Sequence, residues 1–148
     1  MSNETAPLWQ PTPERIARAN ITAFARQCEQ RWGVALPDYD ALHAWSVGQP
    51  ERFWTSLWEY GEVVGERGAT VLVDGERMPG ARWFPEARLN FAQNLLRSRD
   101  ATDALVFWGE DKVKHRLTHG ELYRAVAHLA AALRAAGVTR GDRVAAYM

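Results

Sequence analysis

The stretch Gly80-Ala81-Arg82-Trp83-Phe84-Pro85-Glu86-Ala87-Arg88-Leu89-Asn90-Phe91-Ala92-Gln93-Asn94-Leu95-Leu96-Arg97 decides how this chain is read. It opens as a loop would, with Gly80 between Pro79 and Pro85. Yet it carries Trp83, Phe84, Leu89 and Phe91, which a solvated loop should not expose. A segment that is irregular and apolar at once is expected to lie buried against something large. Six of the seven tryptophans fall between residues 9 and 83, which extends that expectation over the whole leading part of the chain.

Upstream of this stretch the pattern is helical. Thr12 can cap and Pro13 suits a first helical position. Ala17, Ile21, Phe24, Cys28 and Trp32 then recur at spacings of four, three, four and four, which predicts one helix closed by Gly33. Asp38 to Trp45 reads as a second helix carrying Tyr39, Leu42 and Trp45. Pro50 begins a third, with Phe53, Trp54, Leu57 and Trp58 on one side before Gly61. Residues 1 to 11 read as a loose tail with Trp9 as an anchor. Residues 61 to 88 hold seven glycines and prolines and read as irregular connection, with a short strand at Ala69 to Val73.

Downstream the style changes. Asn90 and Gln93 form a capping-box pattern for a helix through Arg97. Ala104 to Trp108 is a compact apolar strand, residues 109 to 112 a turn, and Val113 to Leu117 a returning strand. Thr118 and Glu121 form a second capping box. Leu122, Val126, Leu129, Leu133 and Ala136 supply a helical stripe, and Gly137 with Val138 a Schellman closure. Thr139 to Asp142 turns the chain, and Arg143 to Met148 begins a strand. Helix between strands resembles a crossover unit, which needs a larger sheet to join. A strand ending at Met148 is therefore expected to belong to a truncated domain.

Composition narrows the function classes. Lys+Arg and Asp+Glu are both 18, so no basic excess points to nucleic acid. No apolar run reaches the roughly 20 residues of a membrane helix. The first residues lack the basic start and apolar block of a secretory signal, so the cytoplasm is the expected address. The single cysteine, Cys28, lies on the apolar stripe of the first helix and reads as buried structure. His43, His115, His119 and His128 have no partners at metal-ligand spacing. No nucleophile elbow or phosphate loop is present, and Gly61, Gly65 and Gly68 lack the strand-to-helix setting of a phosphate cradle. Arg140-Gly141-Asp142 sits where a helix-to-strand turn is expected. Arg82, Arg88 and Arg97 could form an anion site, but read rather as loop-solvating side chains that pair with carboxylates of a neighbouring domain. No catalytic, cofactor-binding or metal residue is assigned.

The strings Trp45-Ser46-Val47, Pro50-Glu51-x-Phe53-Trp54, Leu57-Trp58 and Arg82-Trp83-Phe84-Pro85-x-Ala87-Arg88-Leu89-Asn90-Phe91-Ala92-x-Asn94-Leu95-Leu96-Arg97 closely resemble the acetoacetyl-CoA synthetases, acyl-CoA ligases of the adenylate-forming superfamily. Leu117-Thr118-x-x-Glu121-Leu122, Ala130-x-x-Leu133-x-x-x-Gly137-Val138 and Gly141-Asp142-Arg143-Val144 look like the opening of the AMP-binding domain of that family. The resemblance runs from Leu8 onward. It departs from the usual pattern at Glu86, where glycine is common, and at Gln93, where glutamate is common.

The resemblance implies an α/β fold: a helical N-terminal wrapping segment (residues 1–98), then the first hairpin, helix and strand of an AMP-binding domain (99–148), truncated. The aromatics of the lead segment would pack on the remainder of its own catalytic domain. The implied activity is ATP-dependent formation of acetoacetyl-CoA, AMP and diphosphate through an acyl-adenylate, an acid–thiol ligation of lipid and ketone-body metabolism. ATP, CoA and Mg would serve the full-length enzyme, with none expected to bind these 148 residues, which alone are expected to be inactive. Other readings are an acetyl- or propionyl-CoA synthetase and a non-catalytic, Trp-rich docking module.

Overall fold

The computed structural model describes residues 9–147, so the tail reading of residues 1 to 8 and the fate of Met148 lie outside the described residues. The chain divides into two compact units, residues 1–89 and 90–148.

The first unit carries four helices, α1 (Pro13–Ala17), α2 (Asn20–Trp32), α3 (Tyr39–Gly48) and α4 (Pro50–Tyr60). Thr12 caps α1 by accepting from the Arg15 N–H. The single helix expected over 13 to 32 is broken at Arg18–Ala19, where Ala19 turns extended. At the break the Ile16 carbonyl accepts from the Ala19 N–H at 3.1 Å and from the Thr22 hydroxyl at 2.7 Å, which ties α1 to the start of α2. Gly33 stops α2 at a left-handed φ of 63°, its N–H donating to Glu29 O. Asp38 caps α3 through the Ala41 N–H.

Phe24, Cys28, Leu36 and Leu42 form the buried centre, with Trp32, Trp45, Phe53, Leu57 and Tyr60 packed around it. Phe24 meets Phe53 and Tyr60 edge-on at 5.6 and 5.3 Å between ring centres, the geometry ring quadrupoles favour. Two of the polar rings are tied down as well, while the buried Trp45 Nε1 has no hydrogen-bond partner among the described residues. Trp32 Nε1 donates to Ser56 Oγ at 2.8 Å, Ser56 donates on to Arg52 O, and the Tyr60 hydroxyl reaches Asn20 O. Arg31 pairs with Glu59. Of the residues that α3 carries, Leu42 is buried and Tyr39 is exposed.

Residues 61 to 89 are less irregular than expected. β1 (Gly65–Glu66) pairs antiparallel with β4 (Arg88–Leu89), and β2 (Leu72–Val73) with β3 (Arg82–Trp83). The expected strand at 69 to 73 is therefore confined to its last two residues.

In the second unit α5 (Phe91–Leu95) is capped by Asn90 through the Gln93 N–H and stops short of Arg97. β5 (Asp103–Trp108) and β6 (Lys114–Thr118) form a hairpin in which Phe107 faces His115 and Trp108 faces Lys114. α6 (His119–Ala135) has the full capping box of Thr118 and Glu121. It ends in a Schellman closure: Gly137 at φ 85°, with its N–H on Arg134 O and the Val138 N–H on Leu133 O. Thr139 to Asp142 turns as expected, the Asp142 carboxylate accepting from the Thr139 N–H and hydroxyl. The strand expected from Arg143 does not form among the described residues. A strand is defined by the ladder beside it, and residues 143 to 147 pair with none.

Candidate functional site

Four of the aromatics singled out by the sequence, Trp54, Trp58, Trp83 and Phe84, converge on one surface of the first unit. α4 presents Trp54 and Trp58 one turn apart, because residues four apart share a helix face. The β2–β3 ladder lifts Trp83 and Phe84 onto them. Trp83 lies 5.3 Å from Trp54 and Phe84 lies 5.1 Å from Trp58 between ring centres, both tilted. Phe84 takes a positive φ of 43°, strained for a bulky side chain, and its N–H donates to Val71 O at 2.8 Å. Trp54 stays 39% exposed and Trp83 42% exposed, so the ridge they build is only half covered within these residues. Val47, Val64 and Leu89 of the same unit are exposed too. A face of this kind is suited to binding a large, complementary protein surface.

The loops behind the ridge are held by Glu86. Its carboxylate accepts from the Ala69 and Thr70 N–H groups at 2.8 and 3.2 Å and from the Thr70 hydroxyl at 2.6 Å. These bonds, chiefly those from Thr70, hold its pKa below the ordinary glutamate range.

The other candidates are structural. Cys28 is fully buried, and burial pushes its thiol pKa up, the reverse of what a nucleophile needs. Arg82 lies 3.9 Å from Asp74, a carboxylate of its own unit. Arg82 and Arg88 stand on different ladders, and Arg97, in the second unit, donates to Asn94 Oδ1. His115 lies in β6, while His119 opens α6 with Nδ1 3.2 Å from Thr102 O. Asp100 beside it accepts from the Thr102 N–H and hydroxyl, which hold its pKa down. This cluster fastens the start of α6 to the turn before β5. No group of three metal-binding side chains occurs among the described residues. No described helix is long and apolar enough to cross a membrane.

A groove of about 580 Å³ opens between α1, α2 and the start of α3, lined by Ile16, Ile21, Leu36 and Tyr39 among others. The carboxylates at its rim are already committed, Glu29 to the Leu36 N–H and Asp38 to the Ala41 N–H. It lacks the convergent polar groups that orient a reacting substrate.

In the second unit β5 is apolar on both faces. Leu105, Val106, Phe107 and Trp108 are each at least half exposed. Successive strand residues point to opposite sides, so α6, on one side of the hairpin, cannot cover them all.

Residues 39–95 match the family described as the acetyl-coenzyme A synthetase N-terminus, and residues 91–148 match the AMP-binding enzyme family. The acetoacetyl-coenzyme A synthetase of Rhizobium meliloti (strain 1021) is 54% identical over 142 residues, 96% of this chain and 22% of that protein. The acetoacetyl-CoA synthetase of Gallus gallus is 33% identical over 150 residues, covering 98% of this chain and 22% of that protein. The solved structure of acetoacetyl-CoA synthetase from Streptomyces lividans superposes with a TM-score of 0.83 at 43% identity, over 95% of this chain and 22% of that one. The chain thus spans 22% of the length of these relatives.

Proposed function

We propose that this chain is the leading part of an ATP-dependent acetoacetate–CoA ligase of the AMP-binding enzyme family. The observation that carries this reading is the sequence likeness to acetoacetyl-CoA synthetases, which runs along nearly the whole chain. The proposed reaction has two steps. A carboxylate oxygen of acetoacetate bonds to the α-phosphorus of ATP and diphosphate leaves. The CoA sulfur then bonds to the acyl carbon, AMP leaves, and the thiol proton passes to solvent. Magnesium would offset the charge of the triphosphate.

No step is assigned to a side chain of this chain; ATP, CoA and magnesium would be held by the rest of the polypeptide. Its proposed contribution is architectural. Residues 1–98 would wrap the catalytic domain and residues 99–148 would begin it. The two family matches adjoin at residues 91–95, which supports a junction nearby. The half-covered Trp54–Trp83 ridge and the bare faces of β5 are what such a scaffold would leave for the rest of the polypeptide. The cytoplasm is the proposed address.

The test is acid preference in the complete polypeptide. With ATP, magnesium and CoA, thioester formation is expected with a higher kcat/KM for acetoacetate than for acetate or propionate. A higher value for either shorter acid would move the assignment to an acetyl- or propionyl-CoA synthetase. No thioester with any of the three would overturn the ligase reading.

A further inference from the structure

The turn Gly68-Ala69-Thr70 is shaped around an anion. Gly68 takes a left-handed φ of 79°, and the two following N–H groups converge on one oxygen of Glu86 at 2.8 and 3.2 Å. Successive N–H groups after a left-handed residue form a concave nest that binds anionic oxygens. The Thr70 hydroxyl adds a third donor, to the other carboxylate oxygen. The fit depends on glycine. A Cβ at position 68 would stand 2.6 Å from both Cβ and Oε2 of Glu86, so a side chain there would expel the carboxylate.

The location gives this contact its consequence. Glu66 ends the β1–β4 ladder opposite Arg88, and Leu72 opens the β2–β3 ladder opposite Trp83. Glu86 crosses the gap between the two ladders, from the 84–88 side to the 67–71 side. Without it the two-residue ladders keep their few backbone bonds and the Phe84 N–H to Val71 O bond, and Trp83 and Phe84 lose part of the frame that holds them on α4.

We propose that residues 68 to 70 form an anion site whose resident ligand is the chain's own Glu86 carboxylate, and that Glu86 is thereby the positioning residue of the Trp54–Trp83 and Trp58–Phe84 ridge. The inference rests on the ligase reading only for the ridge's role as a receiving surface. The anion site itself stands on its geometry.

The experiment is anion rescue in the complete polypeptide, read by thermal midpoint and by hydrogen exchange of peptides spanning residues 66 to 86. Glu86→Ala is expected to lower the midpoint and to speed exchange at the Ala69, Thr70 and Phe84 amides, leaving α6 unchanged. Added formate or acetate should reverse both effects relative to chloride at equal ionic strength, and should do nothing to the wild type, whose nest is filled. Glu86→Gln occupies the same space without the charge. It should show the same faster exchange, without rescue. This second variant serves if the alanine variant does not fold. Unchanged exchange in Glu86→Gln would overturn the proposal. So would equal effects of formate and chloride on a folded Glu86→Ala protein. Neither readout uses catalysis, so failure here would leave the ligase reading standing.

Discussion

Glu86 shows how far a single residue could be read in advance. Its place in the string was plain, and its departure from the glycine common there was plain too. Its partners were not, because Ala69 and Thr70 lie 17 and 16 residues away and the contact depends on a left-handed Gly68. The carboxyl is held below the ordinary range by its three donors. A lowered folded-state pKa adds stability that is present above the unfolded pKa and is lost as pH falls through the folded value. The acid limb of the stability curve should therefore be shallower in Glu86→Gln than in the wild type. Stability measured across the pH range below neutrality checks this, and parallel limbs would show that the carboxylate is not paired. Cys28 was legible because its chemistry and its helical position agreed, and it is buried. Leu129 was less so: its stripe position promised cover, yet it is 62% exposed among the described residues.

Elements declared themselves in proportion to their local signals. α6 had a capping box, a stripe and a glycine stop; the box and the stop formed, while the stripe is covered only in part, with Leu122, Val126 and Leu133 half-buried. Replacing Thr118 with Ala should cost about 1 kcal/mol through the lost cap, measurable by denaturant unfolding of the complete protein. The same helix meets a close approach at its second residue. The Gly120 N–H donates to Asp100 O at 3.0 Å, and an added Cβ would sit 3.0 Å from Arg99 O. Alanine would gain up to about 1 kcal/mol of helix propensity. Crowding a backbone oxygen costs roughly 1–3 kcal/mol, so Gly120→Ala should destabilise on balance. A gain in stability would mean that the 99–100 turn gives way freely. The break at Arg18–Ala19 was hidden, because the apolar spacing runs through it unbroken and neither residue is a helix breaker. The two-residue ladders were hidden for a different reason. No periodicity exists over two positions, and their pairing is long-range. The segment from Arg143 was misread because an apolar, β-prone sequence is only half of a strand. The other half is a neighbour, and none is described here.

For the molecule as a whole, the apolar surface left bare is the informative quantity. Trp54 and Trp83 should be protected in the complete polypeptide and oxidised faster in the 148-residue chain, as hydroxyl-radical footprinting can measure. Equal rates would argue against wrapping. The site of chemistry was not legible at all. What the sequence offered was scaffold, and the chain spans 22% of the length of its relatives. Rate enhancement in such a ligase would come from holding triphosphate, metal and carboxylate in position, a role proposed for the rest of the polypeptide. The account therefore stands or falls on diphosphate release from ATP, measured side by side for the complete polypeptide and for residues 1–148 with magnesium and acetoacetate. It predicts acetoacetate-dependent release by the complete polypeptide, followed by acetoacetyl-CoA when CoA is added, and none by the 148 residues alone. Turnover by residues 1–148, or none by the complete polypeptide, would contradict it.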